Sequence, residues 1–201
     1  LGHLFTSREE ATGMFSGPFA CNARELGEGD FSRIFGTSRL LTALLAPKGI
    51  VLTSVLSSHK LLYGGPVELP EPGRPGKVEL LKSLVMCSLL ALGGLMLFPL
   101  ASEALKYVLE ALKWSIYASY SHLTGRVRSL GELAEGLAER GPWPWRRLAR
   151  ELLRLREDPR GPGYTLLMAL PGVLRIHLEA LGGGTPYIWP RDAPPESGGE
   201  R

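Results

Sequence analysis

Hydrophobic and polar residues are interspersed along most of this chain, but one stretch is apolar without interruption. Residues 83–102, SLVMCSLLALGGLMLFPLAS, contain no charged side chain. A helix of about 20 apolar residues is long enough to cross a lipid bilayer, and a helix surrounded by other helices inside a protein can be equally apolar. The stretch is therefore covered either by lipid or by protein.

The residues within and after this stretch favour protein. Gly93, Gly94 and Pro99 lie close together in it, and it continues directly into an amphipathic segment of the kind found in water-soluble proteins. Basic residues flank both ends, so the charge bias does not give a membrane orientation. We interpret the stretch as a central helix wrapped by the other helices, and we keep a single transmembrane helix at 83–102 as the alternative.

The second half of the chain shows helical periodicity throughout. Apolar residues recur on one face from Ala104 to Tyr120, and a helix beginning near Ser129 ends at Gly141. Two more helices are predicted at 145–157 and 164–181, the latter broken or kinked at Pro171 and Gly172.

The first half is more mixed. Asp30 is a good helix cap, and a helix of about 15 residues is predicted from Phe31 to Pro47. The β-branched run IVLTSVL at 50–56, followed by KLLYGG, predicts a small β-hairpin at about residues 50–64. Four prolines in residues 64–76 predict an extended connector.

These elements predict a mostly α fold. We expect a single helical-bundle-like domain over residues 1–181 with a β-hairpin insertion, followed by a flexible Gly/Pro-rich tail at 182–201. Within the tail, Tyr187, Ile188 and Trp189 form a short apolar cluster. Such clusters dock on partner proteins or fold back on their own domain, and we treat these three residues as candidate partner-binding residues.

Composition bears on habitat and compartment. The chain has no glutamine and a single asparagine, Asn22, which is typical of proteins from thermophiles or from GC-rich genomes. The first residues have neither the basic nor the apolar region of a secretory signal, which predicts a cytoplasmic protein, although Leu1 leaves the native start undetermined. The net charge of +3 permits a phosphate-bearing partner without requiring one.

A basic helix is the best candidate for a functional site. Four arginines at helical spacing line one predicted face, and two tryptophans just before them could stack on nucleic-acid bases. The alternative is a solvated surface of ion pairs, because Glu151 and Glu157 lie within helical reach. The candidate nucleic-acid-binding residues are Arg146, Arg147, Arg150, Arg154, Trp143 and Trp145.

Catalytic and metal-binding patterns are weak. Ser57 and His59 could share one face of a strand, but no other element of acyl-transfer chemistry accompanies them. The segment 73–78, GRPGKV, has the wrong glycine spacing for a phosphate loop, and the four histidines fall in separate elements. The sequence therefore predicts no catalytic residue, metal site or cofactor.

Together these features predict a non-catalytic helical subunit of a larger assembly from a thermophile. Its partners would be other protein subunits and RNA or DNA, the latter bound through the arginine-rich helix. The alternative is a small membrane protein anchored by residues 83–102.

Overall fold

In a computed structural model the chain is mostly helical. Every regular element in the residues that the structure describes is an α-helix. Those residues are 28, 30–32, 38–58, 73–100, 104–125, 130–141, 143–157 and 163–183. The helices are α1 (Arg39–Leu45), α2 (Lys48–Ser58), α3 (Lys77–Leu97), α4 (Leu105–Thr124), α5 (Leu130–Arg140), α6 (Trp143–Glu157) and α7 (Gly163–Leu181).

Helix α4 is the centre of the fold. It packs against α3, α7, α5 and α2, and its whole C-terminal half from Ser115 to His122 is buried. The predicted apolar face, which includes Leu105, Val108 and Leu112, is buried as expected. Burial extends further around α4 than the sequence pattern indicated. The polar residue Ser115 can be buried because its hydroxyl donates to the Ala111 carbonyl of the same helix at 2.7 Å and so needs no water.

Helix α3 is not the fully surrounded rod that the sequence predicted. Its buried residues form one line along the helix, whereas large apolar residues on the opposite side are exposed. The prediction was wrong because an unbroken apolar run hides the difference between a helix covered on one side and one covered on all sides. The buried residues of α3 are Leu80, Ser83, Cys87, Ala91 and Gly94.

The predicted β-hairpin at about residues 50–64 is also wrong where the structure describes it. Residues 50–58 belong to α2, and residues 59–64 lie outside the described part of the chain. Tertiary packing outweighs the preference of β-branched residues for strands. Ile50, Val51 and Thr53 are buried in α2, and the Glu79 carboxylate of α3 accepts a hydrogen bond from the Gly49 N–H at 3.0 Å, which satisfies a donor in the first turn.

Two other helices differ from their predicted bounds. α1 begins only after Ser38, whose hydroxyl caps it by accepting from the Leu41 N–H at 3.2 Å, and it ends at Leu45 just before Pro47 as predicted. α7 continues through Pro171 instead of breaking there. Pro171 is exposed, so its ring faces away from the packed side of the helix.

The remaining helical predictions are confirmed in the described residues. Leu133 and Leu137 of α5 are buried, and so are Leu148 and Leu152 of α6. α5 is followed by Gly141, and α7 ends at Leu181 with Gly183 in a left-handed conformation at φ 93°. The predicted tail beyond Gly183 lies outside the described residues.

Gly94 determines how closely α3 approaches α4. A Cβ at this position would lie 2.7 Å from the Val108 Cγ2 and 3.1 Å from the Ala104 carbonyl oxygen, whereas one at Gly93 would meet nothing within 4 Å. We therefore expect Gly94→Ala to lower the free energy of unfolding by about 1 to 3 kcal/mol through overpacking.

The matched control is Gly93→Ala, one residue away in the same helix. We expect it to raise the free energy of unfolding by up to about 1 kcal/mol, because alanine favours helix over glycine. Denaturant unfolding of both variants measures the difference. Equal effects of the two substitutions would contradict the close contact at Gly94.

Candidate interaction surface

Six large apolar side chains form a line along the solvent side of α3, which we call the outer face. They follow each other at intervals of three or four residues, so they lie on one side of the helix. Together they expose an apolar area on the order of 500 Å², which is the size of the largest apolar patch on a typical monomer, and such patches are often functional. The outer face consists of Val78 (68% exposed), Leu81 (47%), Val85 (47%), Leu89 (54%), Leu92 (45%) and Met96 (69%).

The opposite face of α3 is built mainly from small side chains. Ser83, Cys87, Ala91 and Gly94 are completely or almost completely covered by α4 and α7. Small residues let helix backbones approach closely, so this side of α3 is the one that packs inward. Six larger residues of the helix are consequently left on the outside, whereas Leu80 is buried.

A buried polar contact fixes the rotation of α3. The His177 ring of α7 is fully buried, with Nδ1 2.9 Å from the Val173 carbonyl oxygen and Nε2 3.1 Å from the Ser83 hydroxyl. Because a carbonyl can only accept, Nδ1 carries the proton and Ser83 donates to Nε2. Rotating α3 to bury its outer face would leave the imidazole without this partner, at a cost of about 1 to 3 kcal/mol.

His177 and the neighbouring Cys87 are unreactive at neutral pH. Burial lowers the pKa of His177 to about 4, although its bond to Val173 opposes the change. Burial also raises the pKa of the Cys87 thiol to about 11, and its Sγ lies 3.8 Å from the Ser83 Oγ. At neutral pH the imidazole is uncharged and the sulfur is a thiol, which is a poor nucleophile.

Helix α1 is a neighbour of the N-terminal part of α3. The Lys82 ammonium donates to the Ala43 carbonyl oxygen at 3.2 Å. Three α1 leucines are exposed: Leu40 (81%), Leu41 (45%) and Leu44 (66%).

The arginine helix, α6, uses much of its charge within the protein. The Arg150 Nε donates to the Ala138 carbonyl and the Arg146 Nε to the Gly141 carbonyl, both at 3.0 Å. These are carbonyls at the C-terminal end of α5, where the helix leaves acceptors unpaired and favours positive charge. Arg154 pairs with Glu151 at 2.8 Å, as the ion-pair alternative requires, and Arg147 is exposed.

The structure does not bring the six candidate nucleic-acid-binding residues together as one surface. Trp145 is only 4% exposed, and its indole N–H donates to the Glu179 carboxylate of α7 at 3.1 Å. Its ring is therefore packed inside the protein and is not presented for base stacking. The side chain of Trp143 lies outside the described residues, and so do Tyr187, Ile188 and Trp189.

Sequence reasoning missed the outer face of α3, although a signal for it was present. Ser83, Cys87, Ala91 and Gly94 recur at intervals of four, four and three residues. This line of small residues within an apolar run distinguishes the packed side of a helix from the side that carries large residues.

By length and composition, α3 is the one described helix that could cross a membrane, and the core helix of a soluble protein can pass the same test. Its uncharged part is shorter than the sequence indicated, because the helix ends at Leu97. Residues 83–97 would extend about 22 Å at 1.5 Å per residue, against a hydrocarbon core of about 30 Å.

Comparisons with models of protein families, with curated proteins and with solved structures find no match to this chain. Among the described residues, no group of three or more His, Cys, Asp or Glu side chains is placed to hold a metal ion.

The low pKa of His177 predicts a loss of stability in acid. The unfolded chain takes up this proton near pH 6.5 and the folded protein only near pH 4. The stability contributed by the neutral ring is therefore complete above pH 6.5 and is lost as the pH falls towards 4, by about 3 kcal/mol in all.

Denaturant unfolding at pH 7 and pH 4.5 tests this expectation when it is applied to the natural chain and to His177→Gln. The variant lacks the titrating group, so its free energy of unfolding should fall less over this interval. If both proteins lose the same amount, His177 is not the group responsible.

The contact between Arg150 and Ala138 predicts a structural role for this arginine. We expect Arg150→Ala to lower the free energy of unfolding by about 1 to 2 kcal/mol, because a carbonyl at the end of α5 loses its charged donor. Thermal unfolding provides the measurement. An Arg150→Ala protein that is as stable as the natural chain but no longer retained on nucleic acid would instead favour the nucleic-acid prediction.

Proposed function

We propose that this protein is a non-catalytic helical subunit that attaches to an apolar protein surface through the outer face of α3. The observation that carries the proposal is the exposure of six large apolar side chains in one line, opposite a face of small residues. An apolar area of this size is unfavourable in water and favourable in an interface.

Two observations favour protein over lipid as the surface that covers the outer face. The uncharged helical part of α3, about 22 Å long, is shorter than a hydrocarbon core of about 30 Å, and Lys82 is bonded to α1 at the N-terminal limit of that part. A span would also bring the Arg175–Glu179 ion pair of α7 to the depth of Ser83, about 6 Å from the midpoint of α3. Charged residues at that depth are costly.

The chemistry of the buried groups supports a structural role. His177 is bonded on both ring nitrogens and is uncharged at neutral pH, and Cys87 is a buried thiol. A catalytic base or nucleophile would need access to a substrate. We infer that these residues fix the orientation of α3 and thereby determine which of its faces is available to a partner.

Nucleic-acid binding through α6 stays a prediction from the sequence. Arg146, Arg150 and Arg154 each have a partner within the protein, and this favours a stabilising role for them. Contact with RNA or DNA would be an additional activity of the exposed side of the helix.

We expect the natural chain to be soluble without detergent and to sediment faster than a monomer. Leu89→Gln combined with Leu92→Gln should yield a monomer, because the two amides make the outer face favourable in water. At protein concentrations low enough for both chains to be monomeric, the free energy of unfolding should change by less than about 0.5 kcal/mol, as is usual for exposed sites. Sedimentation velocity and denaturant unfolding measure the two effects.

The matched control is Leu174→Gln combined with Leu178→Gln. These α7 leucines are 41% and 60% exposed, much like Leu92 and Leu89, and the control should keep the sedimentation rate of the natural chain. A natural chain that associates equally well with and without the outer-face substitutions would contradict the proposal. Recovery of the protein only in detergent would favour the membrane alternative.

A further inference from the structure

We propose that the surface docked on α3 is a second copy of this chain, with the two α3 helices antiparallel about a twofold axis at the level of Cys87. This inference rests on the proposed function and adds the identity and orientation of the partner. A twofold interface places the same face of each copy against the other, so that face must be complementary to itself.

The outer face meets this requirement. A twofold axis at Cys87 places each residue opposite the one equally far away on the other side of it in the second copy. Val78 then lies opposite Met96, and Val85 lies opposite Leu89. Four of the six outer-face residues therefore meet each other across the interface, with the Val85–Leu89 pairs next to the axis.

The other two residues also meet suitable positions. Leu81 lies opposite Gly93, where a Cβ would have no neighbour within 4 Å, so there is room for the leucine side chain. Leu92 lies opposite Lys82, whose ammonium is bonded to the Ala43 carbonyl at 3.2 Å. The hydrocarbon stem of that lysine is left to contact the leucine.

The apolar area agrees with the needs of a dimer. The outer face and the exposed leucines of α1 together offer on the order of 800 Å² per copy, the size of a standard interface. Since α1 lies beside Lys82, the antiparallel arrangement brings it next to Leu92 and Met96 of the second copy. This arrangement places α1, with its exposed leucines at positions 40, 41 and 44, at the edge of the interface.

Charge favours the antiparallel over the parallel arrangement. Lys77 at the start of α3 comes opposite Leu97, at the C-terminal end of the second α3, where the helix dipole attracts positive charge. In a parallel pair, each Lys77 and each Lys82 would come opposite its own copy. Like charges in contact are unfavourable.

Disulfide cross-linking between two tagged proteins, each with one introduced cysteine, tests the arrangement. Val85→Cys and Leu89→Cys chains, each in a Cys21→Ser background and with different affinity tags, are co-expressed and then oxidised. We expect the mixed 85–89 disulfide to form, because directly opposed positions are within disulfide reach. The buried Cys87 should stay reduced in both chains.

The matched control combines Val85→Cys with Val78→Cys, positions that the axis does not place opposite each other. We expect about tenfold less of the mixed product from this pair. Cross-linking of 85 to 85 and of 89 to 89, without the mixed product, would overturn the antiparallel arrangement.

These samples and the double glutamine variant separate the two proposals. If the natural chain is monomeric, or if the Val85→Cys and Leu89→Cys chains give no mixed disulfide, the second-copy inference fails while the proposed docking function stands. If the natural chain associates and Leu89→Gln combined with Leu92→Gln leaves that association unchanged, both fail.

Discussion

The close approach of α3 to α4 at Gly94 determines which face of α3 is buried and which is exposed. Helices approach each other closely where their side chains are small, and α3 carries most of its small residues on one side. That side therefore packs on α4 and α7, and the six large apolar residues of the outer face are exposed. The fold thus gains a tight helix contact and retains an apolar surface that a single chain leaves exposed. The bond between Ser83 and His177 (3.1 Å) reinforces the same orientation from α7.

Much of the helical architecture could be predicted from the sequence. The apolar periodicity of α4, α5 and α6 and the terminator at Gly141 identified the helices and their buried leucines. The β-branched run at 50–56 gave the wrong element. Ile50, Val51 and Thr53 are buried in a helix that packs on α3 and α4, and the carboxylate of Glu79, thirty residues from Gly49, supports the first turn. The preference of single residues for strand or helix gives no information about that long-range contact.

The functional surface was harder to predict for a physical reason. A periodicity argument needs polar residues to mark the exposed side of a helix, and α3 has almost none between Ser83 and Leu97. Its faces differ in side-chain size instead of polarity. In the arginine helix, α6, the polarity pattern was clear and predicted a charged face. The partners of Arg146 and Arg150 are nevertheless carbonyls at the end of α5. Sequence spacing places charges on a face without showing what they bind.

An interface on α3 requires its outer face to be covered in the native protein. Hydroxyl-radical footprinting of the detergent-free natural chain compares two leucines of similar exposure in the single chain, Leu89 at 54% and Leu178 at 60%. If the outer face is an interface, Leu89 should be oxidised several-fold more slowly than Leu178. Equal oxidation rates at the two leucines would show that the outer face is open to water and would contradict the account.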